Sequence, residues 1–167
     1  EEYRKAEVLP VHEKDKLKED LKISENGIEY LIKSDVVQKI GYYYDHRENR
    51  KKIHDLLLRS KLPKNTGLDL FSYVGSWGLH LLKAGVTHVE FVDQANMEEV
   101  TNRHLELNGF SGRGTFKRSD VFKYLDEANT QNKRFDIIVS DPPAFTKSEK
   151  NKGQAISGYE KLHLKAM

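Results

Sequence analysis

The sequence predicts an α/β fold with a doubly wound, mostly parallel sheet, and three observations support this prediction. From Thr66 onward, short apolar runs typical of strands alternate with stretches that have helical periodicity. A glycine turn at 75–78 follows the first of these strands. Acidic residues stand at or just after the carboxyl end of each strand. Right-handed βαβ units then give the strand order 3-2-1-4, with a ligand crevice where the order reverses.

The individual elements follow from local patterns. We predict strands at 67–71, 88–92, around 115–116 and at 135–140, the last continuously apolar. The first helix carries leucines at 79, 81 and 82, and the second has apolar residues spaced by three and four between Met97 and Leu107. Asn108-Gly109 ends the second helix, and Asp120 caps the third. His104, in the apolar stripe of the second helix, is expected to be a hydrogen-bonded core residue rather than a metal ligand.

The part before this sheet is predicted to hold three segments. Residues 1–20 are rich in charge and are expected to form a connector. Residues 21–44 form a small β-hairpin element, because Asn26-Gly27 favours a two-residue turn between alternating apolar residues. Asp45 and Glu48 have the spacing of a capping box and predict the start of a helix that Pro63 closes. Residues 45–167 then form the ligand-binding domain.

Composition excludes several classes of protein. The 167 residues are 37% hydrophobic and 32% charged, and no apolar run reaches the roughly 20 residues that cross a bilayer. We therefore expect a cytoplasmic protein without membrane contact. There is no cysteine, so these residues provide no disulfide, thiolate metal site or cysteine nucleophile. The seven histidines show no ligand spacing, and we predict no metal site. A net charge of +2 neither requires nor excludes nucleic acid.

The glycine turn points to a ribose-bearing cofactor. Asp93 follows Asp69 at roughly the 20-residue interval that separates a nucleotide-binding turn from the acid that holds a ribose. A dinucleotide fingerprint, however, needs a glycine where this chain has Tyr73. The turn is better suited to S-adenosylmethionine, with Asp69 facing its ammonium group and Asp93 its ribose hydroxyls. The alternative is that Gly75 and Gly78 only allow a helix to pack closely on a strand.

Asp141-Pro142-Pro143-Ala144-Phe145 forms the second motif, at the strand end beside the predicted crevice. Each proline fixes φ and restrains the preceding residue, so the loop is stiff. Such a loop could hold a planar amino edge near a methyl donor through Asp141 and the Pro142 carbonyl, with Phe145 stacking on the base. The alternative is a simple strand terminator.

The third motif runs from Gln38 to Arg50 and contains three consecutive tyrosines before a helix start. Arg47 could pair with a cofactor carboxylate, and a tyrosine ring could cover the sulfonium. The alternative, which composition alone favours, is a packed aromatic strand that leads into a solvated helix.

Together these motifs resemble class I S-adenosylmethionine-dependent methyltransferases, which have a Rossmann-like sheet, and among them the large-subunit ribosomal RNA cytosine-5 methyltransferases. The resemblance covers roughly residues 27–167 and runs on into Gly158-Tyr159. It implies an RNA substrate, S-adenosylmethionine as cofactor, and the following cofactor-binding residues: Tyr44, Arg47, Asp69, Phe71, Gly75, Asp93, Gln94, Asp120, Val121 and Asp141. Pro142 and Phe145 are the expected substrate-binding residues.

The chain departs from the family pattern in several places. Ser76-Trp77-Gly78 stands where the family usually has a glycine followed by phenylalanine, Ile40 where threonine is common, and His46 where glutamine is common. The PUA domain that usually precedes the hairpin is not visible, and three further strands are expected beyond 135–140. We therefore expect the chain to be the cofactor-binding fragment, with an exposed sheet edge at Ile137-Ile138-Val139 that a second copy of the chain could cover.

Several functions remain open from the sequence. Cytosine-5 methylation needs a thiolate nucleophile that this chain lacks, so we expect the fragment alone to be inactive in that reaction. Methylation of an exocyclic amine such as guanine N2 needs no covalent step. The chain could also be a non-catalytic cofactor-binding or RNA-binding module. A nicotinamide dehydrogenase is a further alternative, and Tyr73 argues against it.

Overall fold

A computed structural model of the chain describes residues 20–32, 42–146 and 152–167. The predicted connector lies outside the described residues except for Asp20, and so does the part of the hairpin element at 33–41. The described part begins with a hairpin of β1 (Leu21–Glu25) and β2 (Ile28–Ile32), paired antiparallel. Asn26 and Gly27 have φ of 51° and 72° at its turn, which confirms the prediction from the Asn-Gly pair.

The main sheet consists of four parallel strands in the order β5-β4-β3-β6. Their bounds are β3 (Thr66–Leu70), β4 (His88–Asp93), β5 (Gly114–Arg118) and β6 (Ile137–Ser140). Counted from Thr66, this is the predicted order 3-2-1-4, which is confirmed. The carboxyl ends of all four strands therefore lie on one edge of the sheet, and the order reverses between β3 and β6.

Five helices lie within the described residues: α1 (Arg47–Arg59), α2 (Ser76–Lys83), α3 (Glu98–Leu107), α4 (Val121–Thr130) and α5 (Lys152–Ala166). Asp120 caps α4 as predicted, because its Oδ1 accepts from the Lys123 N–H at 3.0 Å. The predicted capping box of α1 is wrong. His46 rather than Asp45 is the N-cap residue, and no side chain caps this helix.

Two apolar clusters cover the sheet. One joins β4 residues such as Phe91 to α2, α3 and the hairpin, and the other joins Leu68 and Leu70 of β3 to α4 and α5. This division follows from the alternation of side chains along each strand. β6 lies at one end of the strand order, where Ile138 is 36% exposed. Among the described residues this strand pairs only with β3, which agrees with the exposed edge expected from the sequence.

His104 attaches the hairpin to the sheet. Its Nε2 accepts from the Leu31 N–H at 2.9 Å, so its hydrogen is on Nδ1, which faces the Val74 carbonyl at 3.0 Å. The ring is 1% exposed, and burial lowers the pKa of His104. The expectation of a hydrogen-bonded core histidine is therefore confirmed. The hairpin is thereby held against the loop that follows β3.

Candidate cofactor site

A cavity of about 500 Å³ opens at the carboxyl edge of the sheet. It lies above the ends of the four strands, where the topology places the binding crevice of a doubly wound fold. Seven of the residues expected from the sequence line it: Phe71, Asp93, Gln94, Asp120, Val121, Asp141 and Pro142.

The loop after β3 has a strained backbone. Phe71, Tyr73 and Gly75 have φ of 61°, 46° and 81°, so the chain enters the left-handed region at every second residue. For an aromatic residue this conformation is uncommon and costs roughly 1–2 kcal/mol. Tyr73 thus adopts a conformation suited to the glycine that a dinucleotide fingerprint would place there. Hydrogen bonds from Ser72 N to the Val92 carbonyl and from Gly75 N to the Ser72 carbonyl hold the loop in place.

Gly75 and Gly78 have different roles in this turn. Gly75 is the N-cap of α2 and needs its positive φ. A Cβ on Gly78 would lie 2.2 Å from the Phe91 ring, so close packing on β4 requires glycine there. The Gly78 N–H also donates to Asp69 Oδ2 at 2.8 Å. Gly78 therefore lets α2 pack closely on the sheet, as the alternative interpretation expected, and the role of the turn in cofactor binding stays a prediction.

Backbone amides hold Asp93 at the end of β4. Its Oδ2 accepts from the Tyr73 N–H and its Oδ1 from the Ala95 N–H, each at 2.8 Å. A carboxylate has about four lone-pair positions, so each oxygen can accept one more hydrogen bond. Asp93 and its neighbour Gln94 line the cavity. The carboxylate is suited to receive the two hydroxyls of a ribose.

Asp69 lies behind the cavity wall. It is 0% exposed, and its Oδ1 has no hydrogen-bond partner among the described residues. Burial raises the pKa of Asp69 to about 8, and the charges of Asp141 and Asp93 act in the same direction. Ser72, which lines the cavity, likewise has a buried Oγ without a partner in the described part of the chain. The unsatisfied Ser72 Oγ at the cavity fits a ligand that brings a hydrogen-bond donor, such as an ammonium group, whereas Asp69 is not part of the cavity lining.

Asp141 lies at the end of β6 and is held by side chains. Trp77 Nε1 donates to its Oδ2 at 2.9 Å, and His46 Nε2 lies 3.7 Å from its Oδ1. Pro142 and Pro143 continue the cavity wall from this point. The stiff loop predicted from the two prolines thus borders the cavity.

Five residues expected from the sequence lie outside the cavity lining, and Asp69, described above, is one of them. Tyr44 is 50% exposed and packs edge-on against Tyr42. The Arg47 guanidinium pairs with Glu48 and is largely exposed. Phe145 packs against Tyr159 and Phe122, with ring centroids 4.5 and 6.1 Å away. The fifth is Gly75, whose backbone conformation shapes the turn.

Nine lining residues were not predicted as site residues: Tyr43, Asp45, His46, Arg50, Ser72, Tyr73, Ser76, Trp77 and Pro143. His46 and Trp77 were noted only as departures from the family pattern. Arg50 carried no signal that separates it from the other basic residues of its helix. It is 2% exposed, and its guanidinium binds both oxygens of Glu25, at 2.9 and 3.0 Å. The same group donates to the Tyr42 hydroxyl and to the Tyr43 carbonyl, so it joins hairpin, helix and cavity wall.

Two curated relatives show what the sequence is similar to. Ribosomal RNA large subunit methyltransferase K of Neisseria meningitidis is 37% identical over 134 residues, which are 79% of this chain and 36% of that protein. Ribosomal RNA large subunit methyltransferase I of Aeromonas salmonicida is 34% identical over 150 residues, 89% of this chain and 37% of the relative. The chain thus spans little more than a third of the curated relatives it matches. No protein-family model matches it.

Solved structures agree with this similarity. An S-adenosylmethionine-dependent methyltransferase of Streptococcus mutans matches with a TM-score of 0.67 and 27% identity, over 86% of this chain and 39% of that one. This is the fold of the S-adenosylmethionine-dependent methyltransferases. A second methyltransferase of that fold, SMU.776, was crystallised with S-adenosylhomocysteine and matches with a TM-score of 0.65 and 24% identity, over 87% of this chain and 40% of that one. The observed cavity thus belongs to a methyltransferase fold.

The described part of the chain contains no helix that is both long enough and apolar enough to span a bilayer.

Proposed function

We propose that this chain is the cofactor-binding part of an S-adenosylmethionine-dependent enzyme that methylates large-subunit ribosomal RNA. The observation that carries the proposal is the cavity at the carboxyl edge, with Asp93 at the end of β4 and the strained loop after β3 beside it. The names of the two curated relatives, at 34% identity or more, support the ribosomal RNA substrate.

The lining residues suggest how the cofactor would be held. Asp93 would accept the ribose hydroxyls, with Phe71 and Val121 as apolar wall for the adenine ring. Asp69 and Ser72 have the unsatisfied oxygens that an ammonium group requires. When bound, the cofactor supplies an electrophilic methyl group on its sulfonium.

For the accepting atom we propose C5 of cytosine, and the residues define what this reaction needs. A thiolate must add to C6 before C5 can attack a methyl group. The 167 residues contain no cysteine, so they supply no thiolate of their own. An exocyclic amine, such as guanine N2, is the second candidate because Asp141 lines the cavity as an acceptor for an amino group.

Calorimetry on the 167-residue chain tests cofactor binding. We expect S-adenosylmethionine and S-adenosylhomocysteine to bind and NAD not to bind. Asp93→Asn replaces the ribose acceptor with an uncharged group and should weaken binding of S-adenosylhomocysteine about tenfold, since hydrogen bonds to charged groups contribute about 1.5–3 kcal/mol. The surface change Lys51→Ala serves as a control that should leave binding unchanged. Preference for NAD, or equal affinity in Asp93→Asn, would contradict the proposal.

Mass spectrometry of nucleosides tests the accepting atom. Large-subunit RNA from cells with and without the gene is digested, and methylated cytidine and guanosine are quantified. Loss of one 5-methylcytidine supports the C5 proposal, and restoration by the gene in trans is the control. Loss of an N2-methylguanosine instead would assign the amine reaction, and an unchanged methylation pattern would overturn both.

A further inference from the structure

Trp77 makes a directed contact with the Asp-Pro-Pro loop. Its indole Nε1 donates to Asp141 Oδ2 at 2.9 Å across the cavity wall. An indole N–H can only donate and a carboxylate oxygen can only accept, so Trp77 is the donor and Asp141 the acceptor. It also fixes which oxygen of Asp141 is occupied, because the other oxygen has no donor within hydrogen-bond distance in the described residues.

His46 lies next to the other oxygen of the Asp141 carboxylate. Asn49 Nδ2 donates to His46 Nδ1 at 3.3 Å, so Nε2 carries a hydrogen. That Nε2 lies 3.7 Å from Asp141 Oδ1, which is longer than a hydrogen bond. The imidazole also packs against the Trp77 indole, with ring centroids 5.8 Å apart. Both Asp141 and His46 line the cavity, and the His46 Nε2–H is too far from Asp141 Oδ1 to donate a hydrogen bond to it.

The position of Asp141 indicates which ligand would meet this oxygen. In the order β5-β4-β3-β6 it lies at the end opposite to Asp120, and the ribose acceptor Asp93 is two strands away. At about 4.8 Å between strands, β5 and β6 are roughly 14 Å apart. If the adenosine lies over β4 and β5, as the proposed function requires, then Asp141 is on the side of the cavity where the methyl acceptor enters.

We propose that Trp77 is a positioning residue that orients Asp141 so that Oδ1 selects a base with an exocyclic amino group. The inference rests on the proposed function and adds the substrate class of the same site. Cytosine presents an N4 amino donor, whereas uracil presents an O4 acceptor at the same position. An Asp141 oxygen held in place accepts a hydrogen bond from the cytosine N4 amino group and repels the uracil O4 atom. A carboxylate that is free to rotate loses part of this discrimination.

Nuclear magnetic resonance of the indole tests the positioning contact directly. Trp77 is the only tryptophan in the sequence, so the chain has a single indole N–H signal. We expect Asp141→Ala to shift this signal and to speed its exchange with water, and Asp141→Asn to preserve both because the amide oxygen still accepts. An indole signal that does not respond to Asp141→Ala would overturn the proposal without need of any Trp77 variant.

Base selectivity tests the functional consequence. The chain, saturated with S-adenosylhomocysteine, is titrated with cytidine or uridine monophosphate, and backbone amide shifts of the cavity residues are followed. We expect a preference for the cytidine nucleotide that falls about fivefold to tenfold in Trp77→Phe, because Asp141 then loses the hydrogen bond that orients it. Affinity for S-adenosylhomocysteine is measured in each variant, so that base preference is compared between proteins that are all saturated with it.

Tyr124→Phe is the matched control. It also removes a donor from an aromatic ring to a carboxylate, because the Tyr124 hydroxyl donates to Glu90 at 2.6 Å, and neither residue lines the cavity. It should lower stability without changing base preference. An unchanged preference in Trp77→Phe, or an equal loss in Tyr124→Phe, would refute the positioning role. Failure of wild type to bind S-adenosylhomocysteine would instead refute the proposed function.

Discussion

Glu25 and Asp69 are both buried carboxylates, and their surroundings are opposite. Glu25 is 4% exposed, and both of its oxygens bind the Arg50 guanidinium. Asp69 is 0% exposed, and one of its oxygens accepts a backbone N–H while the other has no partner in the described residues. The first carboxylate has its counter-ion within the protein, and the second does not.

The pKa values express this difference. Burial raises the pKa of Glu25, but the hydrogen bonds and charge of Arg50 outweigh it, and the net pKa lies below its ordinary value. Burial raises the pKa of Asp69 to about 8, because the hydrogen bond from the Gly78 N–H and the charge of Arg50 offset only part of the effect. A buried charge that is paired stabilises the structure only as long as the pair is intact. A buried carboxyl group with one unsatisfied oxygen is a candidate contact for a cationic ligand.

The largest expected effect comes from breaking the Glu25 pair. Arg50→Met leaves Glu25 buried without a cation, and we expect the free energy of unfolding to fall by about 3–5 kcal/mol. Urea unfolding at pH 7 measures it. The double variant Arg50→Met/Glu25→Gln should recover part of the loss, since it removes both charges. A loss as large in the double variant would mean that packing of the arginine, rather than the charge left on Glu25, is responsible.

Asp69→Asn should raise the free energy of unfolding, whereas Arg50→Met should lower it. A folded-state pKa of about 8, above the ordinary value, means that the contribution of this group to stability is complete at low pH and is lost as pH rises through 8. The advantage of the variant over wild type should therefore grow between pH 5 and pH 8 by about 1 kcal/mol per pH unit. Urea midpoints across that range measure it, and parallel pH profiles of the two proteins would contradict it.

The Asp69 carboxyl group should also couple cofactor binding to the release of a proton. If an ammonium group supplies the missing cation, binding of S-adenosylhomocysteine at pH 7 releases up to one proton from Asp69. Calorimetry in two buffers with different ionisation enthalpies should then give different apparent enthalpies. Asp69→Asn should remove this difference and weaken binding about tenfold. Identical enthalpies in the two buffers for wild type would show that Asp69 does not meet the ligand.

His80 should make stability depend on pH less strongly than Asp69 does, and with the opposite sign. It is 0% exposed, its Nδ1 donates to the Ser76 carbonyl at 2.9 Å, and burial lowers its pKa to about 4. A lowered pKa means that stability is complete above the ordinary pKa near 6.5 and is lost as pH falls toward 4. His80→Asn keeps a donor at the Nδ1 position, and the stability difference between pH 7 and pH 5 should shrink by roughly 1–2 kcal/mol relative to wild type.

The smallest effect is expected from an exposed ion pair on the same helix as Arg50. Lys51 and Asp55 are joined at 2.7 Å, with side chains 53% and 37% exposed. Water screens such a pair, so Lys51→Ala should leave the urea midpoint within experimental error of wild type. A loss comparable to that of Arg50→Met would mean that burial does not control the strength of charge pairs in this protein.

Much of the fold was predictable because it depends on local patterns. Alternating strands and helices from Thr66 predicted the order of the sheet, and Asn26-Gly27 predicted the hairpin. The capping box at Asp45 failed because the preceding tyrosines and Arg50 fix where α1 begins, and helix starts depend on such contacts as much as on local spacing.

The candidate site was predictable only where strand ends alone position a residue. Asp93, Asp120 and Asp141 line the cavity because parallel strands bring their carboxyl ends to one edge. Trp77, His46 and Arg50 come from other elements, and nothing in their local sequence indicates that they line the cavity. Phe145 has the composition of a base-stacking residue, yet it packs against Tyr159 of α5.

The sequence by itself determined the strand order, the crevice and the acids that stand beside it, because these follow from periodicity and from the handedness of βαβ units. Only the tertiary structure decided which acids are buried and which have partners. Burial and pairing depend on residues far apart in the chain, such as Arg50 on Glu25 and Trp77 on Asp141. That is why the sequence alone does not predict that Glu25 has a cation beside it and that Asp69 keeps an oxygen without a partner in the described residues.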